Sequence, residues 1–225
     1  MIESLSPNYN ERPAEASIDM LVLHYTGMAT CEDALDRLCK SDAEVSAHYL
    51  IDEDGMVHKL VPEDNRAWHA GVASWRGESN INDRSVGIEL VNPGHEFGYR
   101  DFPDAQLASL IPLCLDILSR HPIPARNVVG HSDVSPTRKQ DPGEKFPWAR
   151  LAAAGIGLWP TRKRHDVSGD ALIHLSDIGY EVSDHVASIT AFQRRYRPVD
   201  LSGALDDETA ALIAAVHGLS VKDQA

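Results

Sequence analysis

Apolar and polar positions alternate in blocks along this chain, and the period of each block predicts its element. "MLVLHY" (Met20 to Tyr25) is a short apolar run ending in a histidine, which predicts a buried strand delivering His24 at its C-terminal end. In "CEDALDRLC", Ala34, Leu35, Leu38 and Cys39 recur at helical spacing, so two cysteines flank a modest amphipathic helix. "SAHYLIDEDGMVHKLV" (Ser46 to Val61) sets two apolar stretches around an acidic stretch and Gly55, a hairpin signal. "SVGIELV" (Ser85 to Val91) predicts another strand, with Glu89 in otherwise apolar company. In a central strand such a carboxylate is costly unless paired or hydrogen-bonded.

From Asp104 to Arg120, Leu107, Leu110, Ile111, Cys114, Leu115 and Leu118 form a helical stripe with Asp104 as its N-cap. Pro112 is expected to kink or split this helix, since proline costs about 3 kcal/mol in a helix interior. "NVVGH" then returns as a short strand presenting His131. Strands alternating with helices predict a mixed α/β domain over residues 1–154, a mixed central sheet flanked by helices. "GIGLWPTRKRHD" opens a linker over 155–168, rich in glycine and charge. A small helical domain follows over 169–225, with three helices. The first carries Leu172, Leu175 and Ile178 and stops at Gly179; the second, Asp184 to Tyr196, carries Val186, Ile189, Phe192 and Tyr196. The third starts at Asp206 or Asp207, carries Leu212, Ile213 and Val216, and closes at Gly218.

Composition narrows the partners more than the fold. The 225 residues are 43% hydrophobic and 24% charged, as in soluble globular proteins, and no apolar run approaches a membrane span. A formal charge of −13, from 21 basic and 34 acidic residues, argues against nucleic acid and anionic membranes and for small or sugar-containing partners. Cys31, Cys39 and Cys114 are odd in number and lack metal-like spacing, so no disulfide framework is expected. "MIESLSPNYNERP" has neither the basic nor the apolar region of a secretory signal. A cytoplasmic monomer is the resulting expectation, a periplasmic protein or outer-membrane lipoprotein with its leader removed being the alternative.

The chain's 11 histidines ask for an explanation. His24 and His131 each end a predicted strand, and Asp141 lies in the irregular segment after the second. Two imidazoles and a carboxylate make a three-ligand zinc set with a fourth position for water, the pattern of a catalytic site. Taken from spacing alone, satisfied core or surface residues are the commoner account of such a scattered triple. A zinc hydrolase also needs a base for the water and a cation or donor for the oxyanion. Glu89 and Lys139 have the right chemistry, each beside a plainer reading: a structural hydrogen-bond partner and a solvated loop charge.

"LVLHYTG", "SAHYLIDEDG", "LVPEDNRAWHAG", "SVGIELVN" and "VVGHSDVSPTRKQDPG", in that order, resemble the type 2 family of bacterial N-acetylmuramoyl-L-alanine amidases. The likeness is greatest to muropeptide amidases that accept 1,6-anhydro sugars, and more distant to phage lysozyme-like amidases and animal peptidoglycan recognition proteins. It implies a mixed sheet with helices on its faces, one edge lining an open groove. It further implies Zn2+ held by His24, His131 and Asp141, with Glu89 as catalytic glutamate and Lys139 as catalytic lysine. The reaction implied is hydrolysis of the amide between N-acetylmuramic acid and the L-alanine of the stem peptide, in peptidoglycan turnover or muropeptide recycling. Muropeptides or peptidoglycan would be the partners.

The same resemblance places Trp68 and His69 along the groove and His48 behind the metal ligands, with a buried tryptophan and a hydrogen-bonded histidine as the plainer reading of the first two. Several relatives have an arginine near the position of Asn80; Asn80 cannot make that ion pair, and Arg76 or Arg84 would have to compensate. His58, His95, His121, His165, His174, His185 and His217 lie outside the motifs and read as ordinary. "AFQRRYRP" followed by "GALDDET" resembles the three-helix peptidoglycan-binding domain, matching it at Phe192 and Gln193. Such a copy would either bind glycan or buttress the catalytic domain. The rivals are a noncatalytic muropeptide recognition protein and an amidase of an unrelated small peptide. The filled positions of all three ligands, Glu89 and Lys139 speak against the first.

Overall fold

The computed structural model describes residues 1–160 and 170–223, so most of the expected linker, and His165, lie outside the described residues. Its strands are β1 (Ile2–Glu3), β2 (Tyr9–Glu11), β3 (Met20–Tyr25), β4 (Tyr49–Ile51), β5 (Val57–Lys59), β6 (Asn65–Ala67), β7 (Ser74–Trp75), β8 (Glu78–Ser79), β9 (Ser85–Leu90) and β10 (Val128–Gly130). Six form one mixed sheet in the order β1-β5-β4-β9-β3-β10, while β2-β6 and β7-β8 are separate ribbons. Within the sheet β4 and β5 pair antiparallel, as the hairpin signal requires, and the other neighbours pair parallel. The α-helices among the described residues are α1 (Cys31–Cys39), α2 (Gly94–Phe97), α3 (Asp104–Arg120), α4 (His131–Val134), α5 (Trp148–Ala153), α6 (Ala171–Ile178), α7 (His185–Tyr196) and α8 (Asp207–Lys222). Among the described residues, no helix is long and apolar enough to cross a membrane.

Strand side chains alternate between faces, and this sorts the core. Leu21 and Leu23 of β3 join Val86, Ile88 and Leu90 of β9 beneath Leu107, Leu110, Cys114 and Ile117 of α3. Met20, Val22 and Val129 face the other way and share one apolar cluster with Leu175, Ile189, Phe192 and Ile213 of α6, α7 and α8. The C-terminal helices therefore bury their apolar stripes against the sheet itself. His24 continues the Met20–Val22 side of β3 and stands in register with Glu89 of β9, so one face carries both at the C-terminal ends of adjacent parallel strands.

Several local expectations are corrected. Pro112 does not split α3, which runs unbroken from Asp104 to Arg120. Pro112 and Ala108 are both exposed, so the carbonyl four residues back that loses its N–H partner can bond to water instead. The N-cap of α3 is Pro103, with Asp104 as its first residue, and Leu115 of the expected stripe is exposed while Leu113 and Ile117 are buried. Val186 is likewise exposed on α7. Asp170, Asp184 and Asp206 cap α6, α7 and α8 through backbone N–H groups of Leu172, Ala187 and Thr209. Helix α8 passes through Gly218 to Lys222, because Gly218 keeps a helical conformation with no positive φ.

A Cβ on Gly218 would meet nothing within 4 Å. Gly218→Ala is therefore expected to stabilise the fold by about 0.5–1 kcal/mol, read as a higher denaturation midpoint, because alanine loses less backbone freedom in a helix.

Candidate active site

Three side chains converge where β3, β10 and the following segment end. His24 Nδ1 lies 2.9 Å from His131 Nδ1, and each nitrogen lies 3.0 Å from Asp141 Oδ2. All three are buried and form the one cluster among the described residues that could hold a metal ion. His24 comes from β3, His131 from the first position of α4, and Asp141 from the segment tied back by the Ser132 N–H to Asp141 carbonyl bond, 2.8 Å.

Hydrogen bonding behind the cluster fixes which atoms carry protons. Ser85 Oγ donates its single proton to the Ile81 carbonyl at 2.6 Å, so it accepts from His69 Nε2–H at 3.1 Å. Neutral His69 then accepts at Nδ1 from His24 Nε2–H, 3.0 Å away, which leaves His24 Nδ1 a bare lone pair. His131 Nε2 faces the Ala70 carbonyl at 2.9 Å, which can only accept, so in the neutral ring His131 Nδ1 is bare as well. Burial, reinforced by His131, lowers His24 to about 4, and burial and His24 hold His69 well below the usual histidine range. Two lone pairs and a carboxylate oxygen thus face one another with no proton between them, an arrangement that fits a bound cation and the donor types of zinc.

Glu89 is the other anomaly. It is 9% exposed, and its Oε2 has no hydrogen-bond partner. Burial, then the nearby Asp141, pushes its carboxyl well above the usual range, while Lys139 opposes the shift. Glu89, His69, His131, Lys139 and Asp141 line one cavity of about 710 Å³. The face of β9 carrying Glu89 is otherwise Ser85 and Gly87, and a Cβ on Gly87 would come within 2.5 Å of the His69 ring. Glycine at that point makes room for the imidazole that orients His24.

The structure does not bring every expected residue to this cavity. Trp68 turns its ring nitrogen to Asn10 Oδ1, 2.7 Å away, and does not line the cavity, whereas its neighbour His69 does. Arg76 donates to the Asp177 and Ile178 carbonyls at 2.9 and 3.1 Å, satisfying the C-terminal end of α6 rather than a substrate. Asn80 adopts a positive φ of 55° in a tight turn before Ile81–Asp83, a conformation asparagine tolerates, and lies outside the cavity. Arg84 cannot compensate, since it is paired with Asp19. His48 accepts from the Gly87 N–H at 2.9 Å and bonds to none of His24, His131 and Asp141; the position directly behind His24 belongs to His69.

Other residues reach the site without a sequence signal. Asn82 Oδ1 accepts from the backbone N–H groups of His69 and Ala70 at 3.2 and 2.8 Å, fixing the segment that meets both His24 and His131. Tyr25 and His95 line the cavity, joined by a 2.8 Å hydrogen bond, and His95 also bonds to Glu144 at 2.9 Å and stacks on Tyr99. His95 is thus no ordinary surface histidine. Arg138 lines the cavity beside Lys139 while reaching the Ala70 and Val72 carbonyls at 3.2 and 2.6 Å.

Residues 14–144 match the family model described as N-acetylmuramoyl-L-alanine amidase. The chain is 38% identical to the N-acetylmuramoyl-L-alanine amidase AmiD of Escherichia coli (strain K12) over 238 residues, 91% of this chain and 85% of that protein. It is 36% identical to the 1,6-anhydro-N-acetylmuramyl-L-alanine amidase AmpD of Citrobacter freundii over 165 residues, 66% of this chain and 86% of that protein. Among solved structures it resembles AmiD from E. coli in complex with anhydro-N-acetylmuramic acid-L-Ala-D-gamma-Glu-L-Lys, with a TM-score of 0.80 and 35% identity over 94% of this chain and 98% of that one.

Proposed function

Because this chain belongs to the N-acetylmuramoyl-L-alanine amidase family, we propose that it hydrolyses the amide between N-acetylmuramic acid, the 1,6-anhydro form included, and the L-alanine of the stem peptide, using Zn2+ held by His24, His131 and Asp141. The chain is a hydrolase of peptidoglycan-derived muropeptides. The observation that carries the reading is the convergence of three bare acceptor atoms at a cavity that His131, Asp141 and the unpartnered Oε2 of buried Glu89 share.

A zinc ion bound there supplies a Lewis acid that polarises a carbonyl and acidifies water. Glu89, with one oxygen free of any protein donor, takes the proton of the attacking water and returns it to the leaving amine nitrogen. A carboxyl raised by burial is suited to both halves of that task, because its carboxylate is a stronger base towards water than an ordinary glutamate and its acid form holds the proton until the amine takes it. Lys139, whose charge is felt by both Glu89 and His24, donates to the developing oxyanion. His69 and Ser85 keep the His24 lone pair aimed inward, and Ala70 does the same for His131.

Mass spectrometry of products from zinc-loaded protein tests the substrate. A 1,6-anhydro-muropeptide and its ordinary reducing counterpart are offered side by side, and free stem peptide is expected from the anhydro form. Tight binding of both with no release from either would contradict the enzyme and leave a muropeptide recognition protein.

A further inference from the structure

We propose that Arg195 and Tyr180 of the C-terminal helical region are positioning residues for the metal ligands, acting through Asp133; this rests on the zinc reading above. Asp133 is 1% exposed and lies two residues after His131. Its Oδ2 accepts from the Gly130 N–H at 2.8 Å and from Arg195 Nη1 at 2.9 Å, and its Oδ1 accepts from the Tyr180 hydroxyl at 2.6 Å. Arg195 also donates to the Val128 carbonyl at 3.1 Å, on the strand that delivers His131, and its guanidinium lies 4.0 Å from the centre of the Trp148 ring. The carboxylate is therefore fully enclosed by donors, two of them from beyond the linker.

That enclosure bears on two ligands together. Asp133 closes the turn at Gly130 that begins α4, so its place sets where His131 starts. Ser132, between them, holds the Asp141 backbone. On the far side of Asp141, Glu144 lies 3.9 Å from Arg194, so consecutive arginines of α7 reach both flanks of the segment that carries His131 and Asp141. A helical module serving only to bind glycan would need neither contact. A buried ion pair fixes geometry better than it stabilises, since its desolvation offsets most of its attraction.

The test uses the full chain and zinc itself, with affinity measured by competition against a chromogenic chelator. Arg195→Lys keeps the charge but loses the fork that spans Asp133 and Val128, and is expected to bind zinc about 10–100-fold more weakly. Tyr180→Phe keeps the packing and removes one donor, and is expected to shift affinity in the same direction by less. Gln193→Ala is the control: it removes bonds to Gly203, Ala204 and Thr209 that brace α7 against α8 without touching residues 131–144. It is expected to lower the unfolding midpoint and leave the zinc affinity of folded protein unchanged. Arg195→Lys and Tyr180→Phe binding zinc as tightly as the unaltered chain would overturn the proposal, as would equal losses in Gln193→Ala. If Arg195→Lys does not fold, Tyr180→Phe decides. An unaltered chain that takes up no zinc would instead overturn the metal reading, and the positioning role with it.

Discussion

Glu89→Gln is expected to lower kcat by roughly 10²- to 10⁴-fold while zinc uptake stays intact, the loss typical of a general acid–base group. Glutamine matches the shape of the side chain and keeps its place in β9, but it can neither take the proton of water nor return one to the amine. Glu89 is separate from the His24, His131 and Asp141 cluster, so the metal site keeps its donors. The substitution should also stabilise the metal-free chain at neutral pH. Folding raises the Glu89 carboxyl above its unfolded value, so stability is lost as pH climbs from the ordinary carboxylate range, about 4.3, towards the raised folded value. A neutral amide removes that loss. A lower rate together with a higher unfolding midpoint separates a catalytic carboxyl from a structural one, whose removal would weaken the fold. The acid limb of the kcat/KM profile should lie above the range of an ordinary glutamate and vanish in the variant's residual activity.

Lys139→Met is expected to lower kcat by about 10²- to 10³-fold with a smaller change in KM, the effect of deleting one donor to an oxyanion. Methionine preserves the length and apolar body of lysine and removes only the charge and its donors. Lys139 is partly exposed on the segment between His131 and Asp141, so the fold has little reason to depend on it. Because the oxyanion exists only after attack, the loss should fall on kcat rather than on ground-state binding. An equal rise in KM with kcat unchanged would make Lys139 a substrate-binding residue instead.

The meeting of His24, His131 and Asp141 is legible because regular structure carries them there. His24 ends an apolar strand of fixed period, Glu89 breaks the apolar pattern of another, and the two fall in register. The parallel pairing of β3 and β9 turns two separate sequence anomalies into neighbours. His131 follows β10 in the same way. The directions of Trp68, Arg76 and Asn80 are not legible for the opposite reason: they lie beside ribbons and in turns, where no period says which way a side chain points. The stretch that turns His69 inward turns Trp68 outward to Asn10. His95 reads as ordinary in the sequence because its partners, Tyr25 and Glu144, are distant along the chain. The three C-terminal helices were legible from their aspartate caps and apolar spacing, but their docking was not. Nothing in the local pattern shows that Ile189 and Phe192 join one cluster with Val22 and Val129, or that Arg195 reaches Asp133.

Stepwise addition of zinc to the metal-free chain of 225 residues, with release of free stem peptide from a 1,6-anhydro-muropeptide followed at each step, tests the joined claim of metal and base most directly. Activity is expected to rise from none to a plateau at one zinc per chain, with Glu89→Gln binding the same single zinc and releasing almost nothing. Stem peptide released by metal-free protein, or full activity in zinc-loaded Glu89→Gln, would contradict it.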